Sequence, residues 1–106
     1  MLSQNITQEI IRLQAEFCSA LTDPTRLLIL YVLSEKPCNV TELTSELVSA
    51  QPTISRHLKV LRELGLVNSV RKGTTITYSL ADRRLIEAVD LLRSVMNDRL
   101  VEVKKR

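Results

Sequence analysis

Only two glycines occur in this 106-residue chain, and they stand close together, at Gly65 and Gly73. Glycine is the residue that supplies positive φ without steric cost. The chain therefore has one zone of tight turning, between residues 65 and 73, and hydrophobic periodicity governs the long stretches on either side. On the N-terminal side, Ile6, Ile10, Leu13 and Phe17 recur at spacings of four and three, which predicts a helix over about residues 5–20. Asp23 followed by Pro24 reads as an N-cap with proline in the first turn, and so opens a second helix. Its body, Leu27 to Leu33, is apolar nearly all round, as a central buried helix would be, and Glu35-Lys36-Pro37 ends it.

A short extended piece around Cys38 to Val40 follows, and Thr41 is placed to cap a third, short helix with Leu43 and Leu47 on one face. Ser49 and Ala50 make a brief turn. Gln51-Pro52 then opens a fourth helix that reaches about Leu64, turns Ile54, Leu58 and Leu61 inward, and stops at Gly65. Beyond it the period changes from helical to alternating. Segments Leu66–Arg71 and Thr74–Leu80, separated by Lys72-Gly73, predict a two-stranded hairpin in which Ile76, Tyr78 and Leu80 alternate with Thr75, Thr77 and Ser79. From Asp82 a fifth helix carries Leu85, Val89, Leu92, Met96, Leu100 and Val103 and ends in Lys104-Lys105-Arg106.

Helix, helix, short helix, tight turn, helix, hairpin is the order of a helix-turn-helix with an appended β wing. The fold class expected is mainly α with a small β hairpin: a winged helix-turn-helix of about five helices and a two-stranded wing, one domain over residues 1–106. No apolar run approaches the ~18 residues of a membrane span. The first residues carry neither a basic opening nor an apolar signal core, so the expected location is cytoplasmic. In that compartment Cys18 and Cys38 are read as free thiols. An enzyme is disfavoured, because one histidine, no nucleophile–histidine–acid set and no phosphate-cradling glycine loop leave nothing to catalyse with. The formal net charge of +3 permits a polyanionic partner.

The second helix of a helix-turn-helix reads base edges with short polar side chains on its first turns. Gln51, Thr53, Ser55 and Arg56 meet that need. Glutamine can bond an adenine edge in bidentate fashion and arginine a guanine edge. Further along, Lys59 and Arg62 recur on one side of the helix, and two readings stand for them, contact along a phosphate strand or plain solvated surface. Arg71 and Lys72, at the wing tip, are read as reaching the DNA backbone or minor groove, against the blander role of keeping a strand edge soluble.

The stretches LTDPTRLLIL at residues 21–30 and QPTISRHLKVLRELGLV at residues 51–67 resemble the two signature regions of the ArsR/SmtB family of metalloregulatory repressors, and the resemblance runs from about residue 10 to residue 100. It implies a homodimeric repressor that binds double-stranded operator DNA and leaves it when an inducer binds. It also implies DNA contacts at Gln51, Pro52, Ser55 and Arg56, and dimerisation through the first and last helices, whose stripes include Ile10, Leu13, Phe17, Leu85, Val89, Leu92 and Met96. His57 falls in the signature and is read as structural or phosphate-facing rather than as a metal ligand.

The resemblance does not extend to an inducer site. Thiolate sensors of the family carry a cysteine pair at the start of the third helix, where this chain reads Asn39-Val40-Thr41-Glu42-Leu43. Zinc and nickel sensors use histidines on the last helix, and residues 82–103 contain none. Glu87, Asp90 and Asp98 alone suit transition metals poorly and read as helix surface. Cys18 and Cys38 stand between inert packing and a role as thiol sensors of oxidants or of a soft metal or metalloid, for which they make no complete ligand set. No cofactor is expected. A ligand-independent winged-helix interaction module is the alternative of a different class.

Overall fold

The computed structural model describes the backbone of residues 1–18 and 20–105 and, within that range, side chains as far as residue 100. Val103 and the basic tail, as features of the last stripe, lie outside the described side chains. The Ser3 hydroxyl accepts the amide of Ile6 at 3.2 Å and starts α1, Gln4–Leu13. The helix does not run on unbroken to residue 20 as expected, because its register widens into a π-helical turn at Gln14–Cys18. An extra residue in one turn leaves the apolar spacing almost unchanged, so periodicity is blind to it.

Asp23 opens α2, Pro24–Glu35, as expected: its carboxylate accepts the amide of Thr25 at 2.8 Å, with Pro24 in the first turn. Ile29, Leu30 and Leu33 are buried, but Leu28 is 51% exposed, so α2 is central without being enclosed on every side. A two-residue strand, β1 (Cys38–Asn39), leads directly into α3, Val40–Leu47. The cap of α3 is Asn39 and not Thr41. The Asn39 side chain accepts the Glu42 amide at 2.8 Å while the Glu42 carboxylate accepts the Asn39 amide at 3.0 Å, a reciprocal box that satisfies two helix-end donors at once.

The fourth helix, α4, spans Gln51–Glu63 and buries Ile54, His57, Leu58 and Leu61 on one stripe. Gly65 at φ 75° closes it: its amide bonds the Arg62 carbonyl at 3.0 Å and the Leu66 amide bonds the Leu61 carbonyl at 2.9 Å. With Leu61 and Leu66 both buried, this Schellman arrangement fixes how the chain leaves α4 for the wing. The wing is β2 (Val67–Lys72) and β3 (Thr75–Leu80), paired antiparallel from Val67↔Leu80 to Lys72↔Thr75. The turn is therefore Gly73-Thr74, one residue later than expected, which places Gly73 at φ 64° where a primed two-residue turn needs positive φ. The sheet has three strands rather than two, since β1 pairs with β3 through Cys38↔Tyr78 and Asn39↔Thr77. Two residues are too few to display alternation in a sequence.

The long α5 spans Arg84–Lys105, with the Asp82 carboxylate accepting the Arg84 amide at 2.9 Å. Only its beginning is fastened to the core. Ile86 is buried, Arg83 Nη1 donates to the Ser34 carbonyl at 3.2 Å, and the Tyr31 hydroxyl donates to Asp90 at 2.6 Å. Arg93 also donates to Asp90 and lies over the Tyr31 ring, 5.5 Å from its centre. Asp90 is thus a tie between α2 and α5, where free helix surface was expected.

Candidate nucleic-acid interface

Because α4 turns one stripe into the core, its other residues are committed to solvent. Gln51, Pro52, Ser55, Arg56, Lys59 and Arg62 are exposed and Thr53 is half-buried. Arg71 and Lys72 are exposed at the end of β2, against which α4 packs. Charge pairing separates these residues from other cations of the chain. Arg12, Lys36, Arg84 and Arg93 each face a carboxylate, Arg83 bonds a backbone carbonyl, and Arg26 is engaged by His57 and Ala20. Among the described side chains, Arg56, Lys59, Arg62, Arg71 and Lys72 make no such internal contact, and the only other such cation is Arg99 on α5. Five unpaired cations on one helix face and one hairpin end form a surface suited to phosphate, with amide, hydroxyl and guanidinium groups on the first turns suited to base edges.

His57 does not belong to that surface. It is only 3% exposed, and it accepts from Arg26 Nε at Nδ1 over 3.1 Å while Nε2 lies 3.6 Å from Asp23 Oδ2. The structural half of its expected role stands and the phosphate-facing half is corrected. Burial lowers its pKa against the opposing pull of Asp23. Asp23 is itself held below the ordinary carboxylate range, chiefly by the Thr25 amide. Sequence reasoning assigned Asp23 only its cap and gave Arg26 no task, though both stand within the quoted signature.

The remaining expected residues divide. Ile10 and Leu13 on α1, and Leu92 and Met96 on α5, are exposed, and Val89 is half-buried. Phe17 and Leu85 pack against the core of their own chain, which qualifies their assignment to dimer contacts. Cys18 is exposed and Cys38 is buried, its thiol pushed to a higher pKa chiefly by desolvation. No cluster of three or more histidine, cysteine, aspartate or glutamate residues suited to a metal ion occurs among the described residues. No described helix is long and apolar enough to cross a membrane.

A reader helix packed on two supporting helices, with a two-stranded wing issuing from its end, is the architecture of a winged helix-turn-helix DNA-binding regulator. Residues 23–69 match the family described as bacterial regulatory protein, arsR family. An HTH-type transcriptional regulator of Methanocaldococcus jannaschii, MJ1325, is 40% identical over 79 residues, covering 74% of this chain and 89% of that protein. The transcriptional repressor SmtB of Mycobacterium tuberculosis is 38% identical over 82 residues, 77% of this chain but only 61% of the repressor. Among solved structures, the homodimeric winged helix-turn-helix domain of Mb0332 from Mycobacterium bovis superposes with a TM-score of 0.76 at 25% identity, covering 93% of this chain and 91% of that one. The chain belongs to the ArsR/SmtB family of DNA-binding transcriptional regulators.

Proposed function

We propose that the chain is a repressor that binds a two-fold operator as a homodimer, each subunit reading bases with Gln51, Thr53, Ser55 and Arg56, with Pro52 against the DNA at the start of α4. Lys59 and Arg62 lie along phosphates, and Arg71 and Lys72 at the wing grip the flanking backbone or minor groove. The observation that carries this reading is the set of unpaired cations on α4 and the wing, in a chain that pairs most of its other described cations internally. The homodimer is supported by the Mb0332 relative and by the apolar faces that α1 and α5 leave uncovered. Release by an inducer completes the function. The exposed Cys18 favours a thiol-directed signal over a closed metal site, whereas buried Cys38, with its raised pKa, forms the reactive thiolate less readily.

The division of labour is tested by two substitutions, each measured on an operator-length duplex from upstream of the gene and on a scrambled duplex. Arg56→Ala removes a base contact worth ~1–3 kcal/mol and narrows the gap between the two duplexes. Lys72→Ala weakens both alike and reduces the salt slope by about one. Equal, sequence-blind losses from both substitutions would contradict the assignment.

A further inference from the structure

The buried His57 sits one residue beyond Arg56, on the inner side of the helix that the proposed function makes the reader. The start of α2 meets α4 at its ring, and Arg26 ties the end of the first helical segment to that contact. Arg26 of α2 donates from Nε to His57 Nδ1 at 3.1 Å and from Nη1 to the Ala20 carbonyl at 3.2 Å, just beyond the π-helical turn. Asp23 uses one oxygen to cap α2 and turns the other toward His57 Nε2 at 3.6 Å. A guanidinium can only donate, so Nδ1 must carry a lone pair, and the ring proton of the neutral form resides on Nε2 facing the carboxylate. The charged groups that bear on the ring are Asp23 and Arg26 from α2 and Arg56 from α4 itself.

We propose that Arg26 and His57 are positioning residues that set the reader helix against α2 and the end of the first helical segment, and that operator recognition requires His57 to be neutral. This rests on the repressor reading above. A proton on Nδ1 would remove the acceptor that Arg26 uses and set an imidazolium against a half-buried guanidinium at the edge of the core, with Asp23 as the opposing anion. The strain falls on α4 beside Ser55 and Arg56, so discrimination between duplexes is lost together with the bond to Arg26. The sign is diagnostic. A proton added at a surface facing phosphate would strengthen DNA binding, whereas a proton forced onto this buried ring weakens it. His57 is the only histidine, so no other side chain of ordinary pKa titrates between about pH 5.5 and 7.

The test follows anisotropy of a labelled duplex from upstream of the gene, at fixed ionic strength, from pH 7.5 to pH 5.5. The unmodified protein should lose affinity for that duplex severalfold as the pH falls, the loss steepening toward pH 5.5 because burial holds the ring below its ordinary pKa, while binding to a scrambled one holds or strengthens. His57→Asn, whose amide oxygen can take the place of Nδ1 as acceptor and cannot be protonated in this range, should bind at pH 7.5 and give a flat profile. A flat or rising profile for the unmodified protein, or the same loss in His57→Asn, would overturn the proposal. Nitrogen-15 NMR of the unmodified protein decides the case if the variant does not fold. The ring should be the Nε2–H tautomer, and its protonation should move the amide signals of residues 51–58. An Nδ1–H ring, or a titration that leaves those signals still, would also overturn it. Failure to bind any duplex at pH 7.5 would count against the repressor reading, and the NMR result would still decide the positioning role.

Discussion

Val48 holds the most strained backbone in the described chain, at φ 49° and ψ 56°, the left-handed region that disfavours L-residues and β-branched ones most of all. It closes α3 where a glycine commonly serves, and the Ser49 amide reaches back to the Thr44 carbonyl at 3.1 Å across it. Because its side chain is 91% exposed, little packing offsets that strain. Val48→Gly should therefore stabilise the fold by about 1 kcal/mol, less the extra freedom glycine gives the unfolded chain. The denaturation midpoint should rise, and a fall would show that Val48 is not strained in solution. The same scale explains why the Asp23–Arg26–His57 cluster was illegible in sequence. Arg26 and Arg56 are the same residue type, each in a helix of the signature, and only the rotational phase of each helix against its neighbours sends one inward to a histidine and leaves the other in water.

At the level of elements, legibility followed the strength of the boundary chemistry. The fourth helix was readable almost to the residue, because Pro52 and Gly65 bracket it and Ile54, Leu58 and Leu61 keep one phase between them. The second helix was equally well announced by Asp23-Pro24. Reading Thr41 alone as the cap misplaces the start of the third helix; the deciding signal, Glu42 three residues after Asn39 and able to return the bond, is carried by the sequence itself and passed over in that reading. The wing turn moved by one residue for a similar reason, since Lys72 can continue a strand whereas Gly73 alone meets the φ that the turn requires. Strand β1 and the π-helical turn left no periodic trace at all. The candidate reader residues followed directly from the phase of α4, but the rule that distinguishes them, cations with no internal partner, depends on which neighbours actually pair: Arg12–Glu16, Lys36–Glu42, Arg84–Asp82 and Arg93–Asp90 are close in sequence and do, whereas Lys59 and Glu63, spaced just as closely, make no ion pair.

The whole molecule is extended for its length: its radius of gyration is 16.5 Å, against about 13 Å for an ordinary domain of ~100 residues. The cause lies in the terminal helices, since α1 buries no residue and α5 is fastened only near its start. Ile6, Ile10, Ile11 and Leu13 on α1, and Leu91, Leu92, Val95, Met96 and Leu100 on α5, stay exposed, an amount of apolar surface that soluble monomers seldom show. Leu92 is 69% exposed in the single chain, so Leu92→Glu should leave the folded core intact by circular dichroism while sedimentation shows monomer. A persistent dimer would remove Leu92 from the interface. The central claim, sequence-selective operator binding through α4 and the wing, is tested most directly by titrating the reduced protein into the native upstream duplex and a scrambled one across a salt series. The account predicts tight binding to the native duplex alone, weakening steeply as salt rises through counterion release; equal, weak binding to both duplexes would contradict it.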